Sequence, residues 1–100
     1  MEEIRRERLH TTVTGFVQGV GFRAFVQREA VRTNLTGWVR NRWDGSVELV
    51  AEGLRRDLEV FLGSVSRGPR GSTVTGIKPV WLEATGEFAG FQVRQTSGGG

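Results

Sequence analysis

Leu9-His10-Thr11-Thr12-Val13-Thr14-Gly15-Phe16-Val17-Gln18-Gly19-Val20-Gly21-Phe22-Arg23-Ala24-Phe25-Val26 is the run that decides the fold. Leu9, Thr11 and Val13 alternate with His10, Thr12 and Thr14, the two-residue period of a strand. From Phe22 to Thr33 the period changes: Phe22, Phe25, Val26, Glu29 and Ala30 share one helical stripe, mostly apolar. Between the two segments stand Gly15, Gly19 and Gly21, and Arg23 follows closely. A strand, a glycine-rich turn and a helix N-terminus together make an anion site, because converging backbone N–H groups and the helix dipole both favour negative charge. Arg23, in the first helical turn, opposes that dipole. A bound anion offsets the conflict, and a guanidinium grips two oxygens of a phosphate at once.

Working outward, Asn34 suits a left-handed cap at the end of the helix, the place glycine usually fills. Thr36 to Arg42 is β-branched and aromatic, hence a strand. Asp44-Gly45 is the strongest hairpin signal in the chain, and Ser46 to Glu52 alternates as the returning strand. Gly53 is expected to open a second helix, with Leu54, Leu58, Phe61, Leu62 and Val65 at helical spacing and Asp57 in its first turn. Gly68 to Ser72 reads as a loop. Val74 to Glu83 is a fourth strand, and Pro79 within it demands an edge or a bulge. Ala84 to Gly90 connects to a short fifth strand, Phe91 to Arg94. The order is that of a ferredoxin-like α+β fold, βαββαβ. It predicts an antiparallel sheet with both helices on one face, the first and third strands central and the second at an edge. One domain spans residues 1–100, with flexible ends at 1–7 and 96–100.

The chain has no cysteine, which excludes disulfides, thiolate metal sites and cysteine nucleophiles. No apolar run is long enough to span a membrane. The charged first eight residues lack the apolar region of a signal peptide, so the chain reads as cytoplasmic. Net charge is +3, and only one of the 14 basic residues, Lys78, is lysine. Acidic residues are interspersed with the arginines, which argues against a nucleic-acid surface.

Several competing motifs weaken on inspection. Gly19-Val20-Gly21-Phe22-Arg23-Ala24 formally fits a dinucleotide fingerprint, with Asp44 as its distal acid. That fold needs a parallel sheet, and Asp44 sits in a hairpin turn. No Gly-Lys-Ser/Thr follows the glycines, so a Walker A loop is absent. A plain tight turn needs one or two glycines, not three beside an arginine. Asn41, at the end of the second strand, is a poor strand residue. Read alone, it suits a hairpin-end asparagine bonding its own backbone better than a functional group. His10, the only histidine, reads as a solvated strand residue, and no second histidine, cysteine or carboxylate cluster suggests a metal. The serines have no partners for a nucleophilic triad. Trp38, Trp43 and Trp81 offer surfaces for stacking bases, though packing is the plainer role for Trp38 and Trp81. The glycine and aromatic motif of an RNA-binding module is missing.

Gly15-x-Val17-Gln18-Gly19-Val20-Gly21-Phe22-Arg23-x-Phe25-Val26 resembles the acylphosphatase signature. So does Leu35-x-Gly37-Trp38-Val39-x-Asn41-x-x-Asp44-Gly45-x-Val47-Glu48, and the similarity continues through Arg67-Gly68-Pro69 and Gly86-Glu87-Phe88-x-Gly90-Phe91. The resemblance covers about residues 9 to 95. It implies hydrolysis of the carboxyl–phosphate bond of a small-molecule acyl phosphate, with no cofactor and no metal, and the chain is expected to be a monomer. It also implies that Arg23 and the amides of Gln18, Gly19, Val20, Gly21 and Phe22 bind the phosphoryl group, while Asn41 holds the attacking water. The same signature opens larger hydrogenase-maturation carbamoyl transferases; the length of this chain favours the free-standing enzyme. Two departures stand out: Asn34 replaces a glycine common in relatives, and Thr96 to Gly100 is expected to carry a terminal carboxylate away from the fold.

Overall fold

The computed structural model of the chain describes residues 5–98. Its elements are β1 (Arg6–Phe16), α1 (Phe22–Arg32), β2 (Thr36–Asn41), β3 (Val47–Leu54), α2 (Arg55–Arg67), β4 (Thr73–Glu83) and β5 (Phe91–Arg94). They form one five-stranded sheet in the order β4-β1-β3-β2-β5. The ferredoxin-like α+β reading holds, with one change. The first four strands pair antiparallel, but β5 pairs parallel to β2, so the sheet is mixed and β2 is interior rather than an edge.

One face of the sheet is apolar by alternation. Leu9 and Val13 of β1, Val39 of β2, Val47, Leu49 and Ala51 of β3 and Phe91 of β5 are buried there against the helices. From α1 come Phe22, Val26 and Ala30; from α2 come Leu58, Phe61 and Val65. Asn34 is left-handed at φ 60, and the chain turns there so that Leu35 bonds back to Ala30 at 2.9 Å. The Asp44-Gly45 turn closes with the Arg42 N–H on the Ser46 carbonyl at 2.9 Å. Asp44 accepts from the Ser46 N–H and hydroxyl, so it serves the hairpin and not a ribose. Pro79 lies in the edge strand β4, where its missing N–H costs no ladder bond.

Two boundaries differ from expectation. Gly53 stays in β3, opposite Glu7, because β1 extends back to Arg6 and pairs with it. The second helix therefore begins at Arg55. Arg6 and Glu7 thus belong to the sheet, not to a loose end; residues 1–4, 99 and 100 lie outside the described residues.

β4 and β5 occupy opposite edges, so the segment 84–90 must cross the whole sheet. It crosses on the face away from the helices, over Arg8 and Glu52. Glu52 is fully buried. It accepts from the Arg8 guanidinium at 2.6 Å, the Thr85 N–H at 2.9 Å, the Thr85 hydroxyl at 3.0 Å and the Gly86 N–H at 2.9 Å. Arg8 also pairs with Glu87 and stands over the Phe88 ring. Burial alone would raise the Glu52 carboxyl. The two backbone N–H bonds, Arg8 and the Thr85 hydroxyl outweigh it and hold the group at about 2.

Because the folded value is depressed, the stabilising contribution of Glu52 is complete above the ordinary value of 4.5 and is lost as pH falls toward about 2. Glu52→Gln should lose roughly 2–3 kcal/mol at neutral pH, since it removes the charge that satisfies those donors. Urea denaturation from pH 7 to pH 2 should show that the variant has a shallower loss of stability below pH 4.5 than the parent. Parallel acid limbs would contradict the assignment.

Candidate anion and water site

Helix α1 starts without help from a side chain. Its N-cap is Gly21, left-handed at φ 74 and ψ 21, with no capping oxygen and no acidic residue in the first turn. The first bond back into the turn is Phe25 N–H to the Gly21 carbonyl at 3.1 Å. Among the described residues, the N–H groups of Gly19 to Ala24 have no protein acceptor. A helix that leaves these donors unmet presents positive potential at its start.

Gly19 is also left-handed, at φ 75. A Cβ at Gly19 or Gly21 would meet nothing within 4 Å, so conformation and not crowding demands glycine there. Gly15 differs. It lies at a β-bulge opposite β4, at φ 129, and a Cβ would come 2.0 Å from the Thr73 carbonyl oxygen. Gly15 thus serves the sheet, while Gly19 and Gly21 shape the loop.

Beside this loop lies a cavity of about 230 Å³ lined by Val17, Gly19, Gly21, Phe22, Arg23, Ala24, Asn41 and Val93. It brings together four of the seven expected site residues from the loop and helix side, plus Asn41 from the end of β2. Arg23 is half-buried, and its Nη1 donates to the Arg94 carbonyl of β5 at 3.2 Å. Its other donors have no protein partner among the described residues. The Asn41 Oδ1 is buried without a hydrogen-bond partner. A buried amide oxygen left open in this way is uncommon and calls for a partner from outside the chain.

Gln18 and Val20 do not line the cavity. Val20 packs against the apolar core. The Gln18 side chain turns to the hairpin, where Nε2 donates to the carbonyls of Arg42 and Ser46, each at 2.8 Å. It ties the glycine loop to the turn that follows Asn41, a role that local pattern does not reveal. Val93 and the Arg94 carbonyl also escaped the sequence reading, because their place depends on β5 lying next to β2. Gln27 pins that strand to α1 through the Phe91 carbonyl at 2.9 Å.

The remaining candidates lie elsewhere. His10 is on the open face of the sheet, bonded to Glu48 at 2.7 Å. Glu48 is lowered from its ordinary value: burial works against this, and the bonds from His10 and Arg40 prevail. Trp81 packs against the core with the Arg55 guanidinium 3.5 Å from its ring centroid, and Trp43 is exposed. Among the described residues, no helix is long and apolar enough to cross a membrane.

The acylphosphatase family model matches residues 9–93. The chain belongs to the acylphosphatase family. It is 46% identical to the acylphosphatase of Salinibacter ruber over 95 residues, 95% of this chain and 100% of that one. The crystal structure of acylphosphatase from Bacillus subtilis superposes with a TM-score of 0.86 at 41% identity, covering 88% of this chain and 98% of that one. A full-length HypF structure, in its phosphate- and nucleotide-bound form, matches 99% of this chain with a TM-score of 0.87 at 29% identity, over 13% of its own length. The two segments that meet in the cavity, residues 15–26 and 35–48, both lie within the matched stretch.

The three loop glycines should separate by mechanism. Gly15→Ala should lose roughly 2–4 kcal/mol, from strain and a backbone collision together. Gly19→Ala and Gly21→Ala should each lose only about 1–2 kcal/mol, the cost of a left-handed alanine. Urea melts of the three variants test the order; a Gly15→Ala protein as stable as the other two would refute the reading of Gly15.

Proposed function

We propose that this chain is an acylphosphatase that hydrolyses acyl phosphates with Arg23 and Asn41 as its catalytic residues. The observation that supports this reading is that one cavity is lined by Gly19, Gly21 and Arg23 from the loop and α1 and by Asn41 from β2. The unmet N–H groups and the free guanidinium donors face one phosphoryl group, and charge-assisted bonds are the strong ones. The backbone amides of Gln18 to Phe22 complete the grip, with Gly19, Gly21 and Phe22 placed at the cavity wall.

An acyl phosphate is a mixed anhydride whose carboxylate leaves readily, so positioning and charge stabilisation carry the catalysis. The Asn41 amide holds a water in line with the bond to be broken. The water oxygen bonds to phosphorus as the phosphorus–oxygen bond to the acyl group breaks. The carboxylate leaves with the bonding pair, and a phosphoryl oxygen accepts the proton of the water. The chain supplies the grip on the phosphoryl group and the placement of the water, and the substrate itself takes up the proton.

We read the active species as a cytoplasmic monomer without a nucleic-acid partner. On the open face, Trp38 already carries the Arg40 and Arg94 guanidiniums over its ring, at 5.1 and 4.9 Å. A base has no bare ring to stack on there. Size-exclusion chromatography and a filter-binding assay with single-stranded RNA test these two points. The likeness to HypF leaves room for the same domain inside a larger protein, where the cavity would have the same residues.

Hydrolysis of benzoyl phosphate in the presence of EDTA tests the activity. Arg23→Ala should reduce turnover by on the order of 10³ or more and weaken inorganic phosphate binding. Arg23→Lys should also be poor, because an ammonium cannot make the two-pronged contact. Asn41→Ala should lower kcat by about 10²–10³ and keep phosphate affinity within about threefold, since the water is held for the transition state and not for the bound anion. Normal turnover in Asn41→Ala would remove that residue from the mechanism.

A further inference from the structure

Residues 95–98 follow β5 and lie beyond the stretch that the family model matches, yet they do not leave the fold. The Ser97 N–H donates to the Asn41 carbonyl at 3.1 Å, and the Trp43 N–H donates to the Gly98 carbonyl at 3.0 Å. These two bonds lie beyond the β2–β5 ladder, which ends at Arg40 and Arg94, and out of its register, so residues 95–98 dock on the Asn41–Trp43 backbone as an irregular strap and not as more strand. Arg40 adds a bond to the Ser97 hydroxyl while its guanidinium pairs with Glu48. Gly98 stands at φ 72, and a Cβ there would come 2.9 Å from Arg40 Nη2, so glycine fits this place against the hairpin.

The consequence falls on Asn41. Its side-chain amide makes no hydrogen bond within the protein among the described residues, and Oδ1 is buried. Among the described residues no hydrogen bond orients that amide, so its direction depends on packing and on its own backbone. That backbone is fixed on one side by β3, through the pairing of Asn41 with Val47 and the bond from Arg42 to Ser46. Past the end of the β2–β5 register at Arg40 and Arg94, Ser97 bonds to Asn41 itself and Gly98 to Trp43, while Gln18 holds the Arg42 carbonyl between them.

We propose that Ser97 and Gly98 are positioning residues for Asn41: they clamp the Asn41–Trp43 backbone from the outer side and so fix the direction of the Asn41 amide in the cavity. This role rests on the reading of Asn41 given above. Residues 95–98 are not a loose extension. They are part of the water-holding half of the site and separate from the half that holds the anion.

The test is a proline at Ser97, which removes the N–H that bonds to Asn41. Ser97→Pro should lower kcat for benzoyl phosphate by about five- to twentyfold, because small misplacements of a positioning group are amplified in the rate. KM and the Kd for inorganic phosphate should stay within about twofold. Ser97→Ala keeps the N–H and should retain at least half of the turnover. In an Asn41→Ala background, Ser97→Pro should have no further effect on kcat, since the group it positions is gone. Circular dichroism on the same samples corrects each rate for the folded fraction. A Ser97→Pro protein with parental kcat per folded molecule overturns the proposal. So does an equal loss in the Asn41→Ala background, or a matching loss of phosphate affinity. A parent protein without turnover defeats the functional reading and this role together, whereas an active parent with an equally active Ser97→Pro defeats this role alone.

Discussion

A single buried carboxylate decides how this sheet is finished. Glu52 sits on the face away from the helices, where the alternation of β3 sends polar side chains and where water would ordinarily receive them. It is instead sealed by the segment 84–90, with Thr85 and Gly86 donating to it and Arg8 neutralising it. A carboxylate stripped of water is costly unless it is paired and fully bonded. The crossing segment is anchored at that carboxylate on its way to the far edge, where β5 brings Val93 to the cavity wall and the Arg94 carbonyl to Arg23.

The site divides into two halves that different physics builds. The anion half is local: a left-handed glycine starts α1, the first N–H groups go unmet, and Arg23 is carried on the first turn. The water half is assembled from afar. Asn41 comes from β2, the turn behind it is tied to the loop by Gln18, and its outer edge is held by the residues after β5. The partners of these contacts lie far apart in sequence, and each closure has an entropic cost that only the folded sheet offsets.

That division explains what the sequence discloses. The glycine turn, the Arg23 position, the Asp44-Gly45 hairpin, the left-handed Asn34 and the edge strand marked by Pro79 are all legible, because each follows from the conformational limits of residues close in the chain. The family signature adds Asn41, which its own neighbourhood describes only as a hairpin-end asparagine. The boundary at Gly53 is missed because β1 reaches back to Arg6 and keeps it in the sheet. The parallel β5, the side-chain role of Gln18 and the docking of Ser97 and Gly98 are missed for a like reason: each depends on a partner supplied by another element. The burial of Glu48 and Glu52 is invisible for the same cause, since alternation marks which face a side chain takes but not what later covers it.

β5 is the shortest strand, four residues long, and only Phe91 of it is buried. It lies at an edge, joined on one side to β2. Elements of this kind open and close within an otherwise native molecule, at a free energy well below that of global unfolding. Each such opening would take Phe91 from its edge contact with Phe61 and withdraw the Arg94 carbonyl and the Val93 wall from the cavity at once. The fraction of molecules with a complete cavity wall then depends on the closure of one peripheral strand. A melting temperature, which reports the core, measures something else.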